Sequence, residues 1–171
     1  MTADTASGQT RDEAVAKIAE LVSDARIGML TTMTSAGAHV SRPMGLQQVE
    51  FDGDLWFFAY DDSNKVAEIT AEPSVNVAFS DPKASAWTSV SGNAEIVHDH
   101  AKAEELWNPM LEAWFADGLD TPGLTLIRVH AETAEYWDGP SSKVARLLGM
   151  ARAAATHDPD AFPGENETVT L

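Results

Sequence analysis

Two basic side chains in this acidic chain could hold an anion between them. Arg42 lies in the sequence Ser-Arg-Pro-Met, and Lys65 ends the sequence Asp-Asp-Ser-Asn-Lys. Lys83 is the one other Lys or Arg between positions 27 and 98, a stretch that contains nine Asp and Glu. Because a charged hydrogen bond to phosphate contributes about 1.5–3 kcal/mol, the pair suggests a phosphate site.

The elements around these residues would bring the two cations together. Arg42 falls in a predicted strand, where Pro43 indicates an edge or a bulge because proline cannot donate to a ladder. Lys65 falls in the first turn of a predicted helix that Asp62 or Ser63 can cap. Unpaired amides at a helix start attract anions, and the Ser63 hydroxyl adds a donor.

A second interpretation places both cations on the surface. Arg42 would then be solvated and paired with Glu50 or Asp61, and Lys65 would be an ordinary surface lysine. Charged side chains usually lie on surfaces, so the residues taken alone favour this second interpretation. Aromatic residues at 56–58, 87 and 137 could face a planar cofactor ring, although such residues also suit core or dimer contacts.

The hydrophobic pattern predicts a mainly β protein with added helices. Amphipathic spacing predicts a helix at 11–23. Strands are predicted at 27–34, 39–44, 47–51, 55–60, 75–80, 86–91, 94–98, 124–130 and 132–137. Further helices are predicted at 63–71, at 101–115 with an interruption at Pro109, and at 143–155. Short strands without regular βαβ alternation favour a mostly antiparallel barrel over a parallel dinucleotide-binding sheet.

One folded domain is expected from a chain of 171 residues. Residues 1–10 are polar and have little to bury, so a disordered N-terminus is predicted. The folded domain is predicted over 11–155. Residues 156–171 are acidic and contain two Pro and one Gly, which predicts a mobile C-terminal tail.

The composition argues against several partners. A formal net charge of -16 and a pI near 4.4 disfavour nucleic acid and anionic lipid, which both bind basic surfaces. No apolar run approaches the roughly 20 residues of a membrane helix, and no signal-peptide pattern opens the chain, so a cytoplasmic location is expected. Cysteine is absent. The sequence His-Asp-His at 98–100 has no further His nearby, so no metal site is predicted.

Two groups of motifs follow one another along the chain. The first comprises Ser-Arg-Pro-Met at 41–44, Leu-Trp-Phe-Phe at 55–58, Ser-Asn-Lys at 63–65 and Ser-Val-Ser-Gly-Asn-Ala at 89–94. The second comprises Glu-Leu-Trp at 105–107, Ala-Trp-Phe at 113–115, Asp-Gly at 117–118 and Ala-Glu-Tyr-Trp-Asp at 134–138. In this order they resemble the FMN-binding split-barrel superfamily, which includes pyridoxamine 5'-phosphate oxidase, and more closely its general stress protein branch. The similarity runs from about residue 12 to residue 148.

The resemblance implies a six-stranded antiparallel FMN-binding split barrel, usually a homodimer with flavin in a cleft where two subunits meet. It implies that Arg42 and Lys65 take the FMN phosphate, with Ser63 assisting, and so reverses the preference for surface cations. The other cofactor-binding positions that it implies are Pro43, Met44, Phe58, Ala59, Trp87 and, from the partner subunit, Trp137.

The resemblance also implies a flavin-dependent oxidoreductase linked to the general stress response. In true pyridoxamine phosphate oxidases an Arg- and His-containing substrate signature follows the Trp strand; here Gly-Pro-Ser-Ser-Lys stands at 139–143. Oxidation of pyridoxamine phosphate is therefore not expected, and no catalytic residue is assigned. Two alternatives stay open: a non-catalytic flavin-binding or storage module, and a deazaflavin-dependent reductase of the same fold. FMN is the expected cofactor, with FAD and deazaflavin as alternatives.

Overall fold

The computed structural model describes residues 11–47, 51–139 and 165–171. Within these ranges the helices are α1 (Arg11–Ala25), α2 (Asn64–Ala71) and α3 (His100–Leu106). The strands are β1 (Ile27–Met33), β2 (His39–Gly45), β3 (Asp54–Tyr60), β4 (Ser74–Asp81), β5 (Ala86–Val97), β6 (Leu124–Asp138) and β7 (Glu165–Thr170). None of these helices is long and apolar enough to cross a membrane.

The strands form one antiparallel sheet. Six of them follow the hydrogen-bonded path β2-β1-β4-β5-β6-β3, and β7 pairs with β6. At the two ends of this path, the N–H of Gln47, just past β2, donates to the carbonyl of Trp56 in β3 at 3.0 Å. The ends of the sheet therefore approach each other, although no β2–β3 ladder forms in the described residues. The predicted mainly β, antiparallel split-barrel architecture is confirmed, with a seventh strand and an open sheet.

Alternation along the strands gives the sheet a buried face and an outer face. The buried face carries Leu30, Val77 and Val90, and it packs against Ile18 of α1 and Ile69 of α2. A second core lies on the opposite side of β3, where α3 and the 3-10 helix Pro109–Ala113 cover aromatic side chains. The short α3 and this 3-10 helix replace the helix predicted at 101–115, which is divided near the predicted interruption at Pro109.

The outer face of β1, β2, β4 and the first half of β5 contains no Asp, Glu, Lys or Arg. Its members are Ile27, Met29, Thr31, Met33, His39, Ser41, Pro43, Gly45, Ser74, Asn76, Ala78, Ser80, Trp87, Ser89 and Ser91. Charged residues make up 22% of the chain, so this face differs in composition from the chain as a whole. We refer to these positions as the outer face.

Four of the predicted strands join in pairs to form two long strands. The segments 86–91 and 94–98 form β5, and the segments 124–130 and 132–137 form β6. Both strands continue through a β-bulge, where the register shifts between Ser91 and Gly92. A Cβ on Gly92 would lie 2.0 Å from the carbonyl oxygen of His130. Glycine therefore permits a close approach of the two backbones, and both predicted breaks belong to one bulge.

The predicted mobile tail at 156–171 is wrong for its last residues, which form β7. Val169 pairs with Ala134 and is buried, and the Tyr136 hydroxyl donates to Glu167 at 3.1 Å. A β-prone run at 168–170 with a buried valine outweighs the acidic composition. Outside the described residues lie the predicted N-terminus at 1–10, part of the strand at 47–51, the helix at 143–155 and the rest of the tail.

Candidate anion-binding site

Strand β2 and helix α2 bring the two predicted cations together. Arg42 lies on the buried face of the edge strand β2, opposite Leu30 of β1. Lys65 is the second residue of α2, which Val66 and Ile69 anchor in the core. Burial lowers the pKa of Lys65, and the charge of Arg42 lowers it further. The two cations are therefore close enough to repel each other.

The start of α2 leaves amide groups available to an anion. Ser63 is the N-cap residue, with extended backbone angles of φ -76° and ψ 147°, but its side chain makes no capping hydrogen bond. Its hydroxyl donates instead to the carbonyl of Tyr60 at 2.6 Å. The amides of the first turn therefore lack a side-chain cap. Together with Lys65 in the same turn, this helix end suits a negatively charged ligand.

Arg42 is held by a hydrogen-bonded group that spans three elements. Its Nη2 donates to Glu68 Oε2 in α2 at 2.8 Å, and its Nη1 donates to Thr32 Oγ1 in β1 at 2.5 Å and to the Leu30 carbonyl at 3.4 Å. The Thr32 hydroxyl in turn donates to Glu68 Oε2 at 2.5 Å. We refer to Arg42, Thr32 and Glu68 as the brace, since it connects β2, β1 and α2.

The brace is shielded from solvent and keeps Glu68 ionised. Thr32 is 1% exposed, and the side chains of Arg42 and Glu68 are 20% and 14% exposed. The hydrogen bond from Thr32 lowers the pKa of Glu68, and the hydrogen bond and charge of Arg42 lower it further, against an opposing effect of burial. A carboxylate therefore lies beside the two cations.

In the described residues, Arg42 does not pair with either carboxylate that the surface interpretation predicted, Glu50 or Asp61. Asp61 contacts His98 instead, with its Oδ1 2.9 Å from His98 Nε2, and Glu50 lies outside the described residues. The partner is Glu68, which sequence reasoning missed. Its spacing of three residues from Lys65 places both on one side of a helix, and this spacing was the available signal.

The four residues predicted to line the ribityl chain and the ring of FMN lie in different parts of the structure. Met44 shares the buried face of β2 with Arg42, whereas Pro43 is exposed on the outer face. Ala59 is buried in the main core, and Phe58 is buried in the second core, where its ring meets Trp107 edge-on at 5.5 Å.

The two predicted tryptophans form a pair on the solvent-exposed side of the sheet. Trp87 in β5 lies directly opposite Trp137 in β6, and they are 46% and 38% exposed. Strand pairing from β2 through β1 and β4 to β5 places Trp87 on the opposite face of the sheet from Arg42. Within one chain, the structure brings the tryptophans to each other but not to the two cations.

Comparison with known proteins places this architecture in a family. Residues 13–160 match the family model described as pyridoxamine 5'-phosphate oxidase like. The chain belongs to this family. A general stress FMN/FAD binding protein from the phytopathogen Xanthomonas citri has a similar structure, with 30% identity and a TM-score of 0.68 over 77% of this chain and 92% of that one.

Two further proteins are similar to this pyridoxamine 5'-phosphate oxidase-like chain. Protein bli-3 of Neurospora crassa is 30% identical over 158 residues, which cover 86% of this chain and 76% of that protein. A Clostridium acetobutylicum protein related to general stress protein 26, of the pyridoxinephosphate oxidase family, shares the fold with 20% identity and a TM-score of 0.71 over 95% of this chain and 97% of that one. The family resemblance that the sequence motifs predicted is confirmed.

Replacing Thr32 with valine should destabilise the protein in a pH-dependent way. Thr32→Val removes the hydroxyl that favours ionised Glu68, and we expect the free energy of unfolding to fall by about 1–3 kcal/mol at neutral pH. A carboxyl with a lowered folded pKa stabilises the fold above its unfolded pKa, and this contribution is lost as pH falls through the folded pKa. The difference from wild type should therefore shrink in acid, as measured by urea unfolding from about pH 7 to about pH 3.

Thr31→Val is the matched control for this experiment. The Thr31 hydroxyl lies 2.7 Å from the Ser41 hydroxyl on the outer face, and a serine hydroxyl is not ionisable over this pH range. Its effect should not change with pH. If the effect of Thr32→Val were equally constant between neutral and acid pH, Thr32 would not act through Glu68.

Proposed function

We propose that this protein binds FMN through Arg42 and Lys65 and acts as a flavin-dependent oxidoreductase linked to the general stress response. The observation that carries the proposal is the position of these two cations in a chain of net charge -16: Arg42 bonds to Glu68 of α2 at 2.8 Å, and Lys65 lies in the first turn of the same helix. Burial lowers the pKa of Lys65, the charge of Arg42 lowers it further, and a phosphate of about -1.5 to -2 charge would offset this repulsion. An anion with two negative charges is therefore the ligand that this site favours.

The available donors are suited to a phosphate group. The bonds to Leu30, Thr32 and Glu68 occupy three of the five N–H groups of Arg42, which leaves donors for a ligand. Lys65 adds an ammonium group, on which the nearby carboxylates of Asp62 and Glu68 act electrostatically. The uncapped amides of α2 complete the donor set, and the Ser63 hydroxyl would join it only by giving up its hydrogen bond to the Tyr60 carbonyl.

Bound FMN would supply reversible electron transfer at its ring, while the protein supplies binding and electrostatics. Met44, Phe58 and Ala59 are buried in the two cores, so we expect them to border the cofactor mainly through main-chain atoms. The oxidoreductase role rests on this flavin chemistry, because no side chain of the site is assigned as an acid or a base.

The charge of the ligand phosphate favours FMN over FAD at this site. The terminal phosphate of FMN is a monoester that can carry two charges, whereas each phosphate of the FAD pyrophosphate carries one. The relative from Xanthomonas citri is described as an FMN/FAD binding protein. This description supports a flavin ligand but does not distinguish FMN from FAD. The segment Gly-Pro-Ser-Ser-Lys at 139–143 supports a substrate other than pyridoxamine phosphate.

We further propose that two copies of the chain associate through the outer face. Two molecules of net charge -16 repel each other, so a shared interface must exclude unpaired carboxylates. The outer face meets this requirement, because none of its positions is charged and it exposes Ile27, Met29 and Trp87. The pair Trp87 and Trp137 faces away from the cations of its own chain, so a second copy would be needed to present it to a flavin.

Removing either cation should weaken FMN binding. We expect Arg42→Ala and Lys65→Ala each to raise the Kd about ten- to hundredfold, because each loses charged hydrogen bonds worth about 1.5–3 kcal/mol. Quenching of flavin fluorescence during a titration measures the Kd. Lys83→Ala is the matched control, since Lys83 is an exposed lysine in the turn between β4 and β5.

A wild-type protein that does not bind FMN would contradict the proposed function. Unchanged affinity in both Arg42→Ala and Lys65→Ala would show that the flavin binds elsewhere. Preferential binding of deazaflavin in competition with FMN would favour a deazaflavin-dependent reductase. Bound FMN that NAD(P)H does not reduce would favour a flavin-storage module.

A charge at the centre of the outer face should prevent dimer formation. Ala78 lies in β4 opposite Met29 and Ser89, and Ala78→Glu would place two unpaired carboxylates in a symmetric interface. Because burying an unpaired charge is strongly destabilising, we expect light scattering to give the monomer mass for this variant and the dimer mass for wild type. Ala101→Glu is the control, because Ala101 is exposed on α3. Monomeric wild type, or dimeric Ala78→Glu, would contradict the interface.

A further inference from the structure

Glu68 is an acidic residue in the middle of a site that favours anions. It accepts hydrogen bonds from Arg42 Nη2 and from the Thr32 hydroxyl through the same oxygen. It also follows Lys65 by three residues, so it lies on the same side of α2. A carboxylate so close to both cations must affect any phosphate that binds between them.

We propose that Glu68 is a positioning residue whose charge stabilises the free protein and limits its affinity for phosphate-bearing ligands. The proposal rests on the proposed function, because it assigns a role within the same site. In the free protein, Glu68 lies beside two cations that repel each other. In the complex, the phosphate neutralises those cations, and the carboxylate then repels the ligand.

The charges of the two states show why the effects have opposite sign. Arg42, Lys65 and Glu68 carry a net charge of plus one when all three are ionised. Without the carboxylate, Asp62 would still act on Lys65, but Arg42 would lose its ion-pair partner, so the free state would be less stable. With a phosphate of about -2 charge, the charges of Arg42 and Lys65 would be balanced by the ligand itself. Loss of the Glu68 charge therefore destabilises the free state and favours the bound state.

Glu68→Gln separates this role from a merely structural one. Glutamine keeps an oxygen that can accept from Arg42 and Thr32 but removes the negative charge. If Glu68 only held Arg42 in place, weakening the brace would lower stability and FMN affinity together. If its charge acts as proposed, stability falls while affinity rises.

The experiment measures the FMN Kd and the urea midpoint for wild type, Glu68→Gln and Glu104→Gln. We expect Glu68→Gln to bind FMN about three- to tenfold more tightly, as expected for one charge removed near the phosphate, and to unfold at lower urea. Added salt should reduce the gain in affinity, because screening weakens the repulsion that was removed. Glu104→Gln makes the same charge change at an exposed position of α3 and should match wild type.

Equal or weaker FMN binding by Glu68→Gln would overturn the proposal for Glu68. If wild type binds FMN and Arg42→Ala weakens that binding, such a result leaves the phosphate site intact and removes only the role of Glu68. If wild type does not bind FMN, the proposed function fails, and the proposal for Glu68 fails with it. All variants are compared in a buffer with sucrose, which stabilises the folded state, so that a less stable Glu68→Gln protein can still be titrated.

Discussion

The repulsion between Arg42 and Lys65 is the constraint on which the site depends. Strand β2 and helix α2 hold two cations near each other in a partly buried place, which the lowered pKa of Lys65 reflects. Glu68 offsets this repulsion, and Thr32 keeps Glu68 ionised by donating a hydrogen bond to it. Because β1 and α2 are both anchored in the core, the cations are positioned before any ligand arrives. Such preorganisation favours anion binding, since little ordering remains to be done on association.

The two faces of the sheet have different proposed roles, anion binding for the buried face and association of two copies for the outer face. The buried face supplies Arg42 at its edge and supports α2, whereas the outer face carries neutral residues, among them Trp87. In a strongly acidic chain, this neutral face favours contact with a second copy over contact with nucleic acid or anionic lipid. In the proposed dimer, Trp87 and Trp137 would approach the ligand of the other subunit, because they lie on the opposite face of the sheet from Arg42 of their own chain.

The sequence predicted the cations of the site but not their counter-charge. Arg42 on an edge strand and Lys65 in the first turn of a helix follow from local patterns, and the structure has both. Glu68 could not be assigned to Arg42 from sequence alone, because that contact depends on how α2 is rotated against β1. Pairing with Glu50 or Asp61 was the simpler expectation from residues nearby in the chain.

In the fold as well, features set by local sequence were predicted, whereas features set by distant contacts were not. Strand type and the antiparallel architecture follow from alternation, but the predicted strands at 86–91 and 94–98 leave Gly92 between them. Its role at the bulge becomes clear only when the carbonyl of His130 is opposite it. The strand β7 was missed because acidic composition obscured a short β-prone segment whose stability comes from pairing with β6.

The most direct test of the central claim is the pKa of the Lys65 side chain, measured by NMR with and without saturating FMN. In the free protein, burial and the charge of Arg42 should hold this pKa below the ordinary value for lysine. A phosphate between the two cations should raise it on binding, because a nearby negative charge favours the protonated amine. If FMN binds and the pKa of Lys65 stays the same, the phosphate does not lie between Arg42 and Lys65, and the account is contradicted.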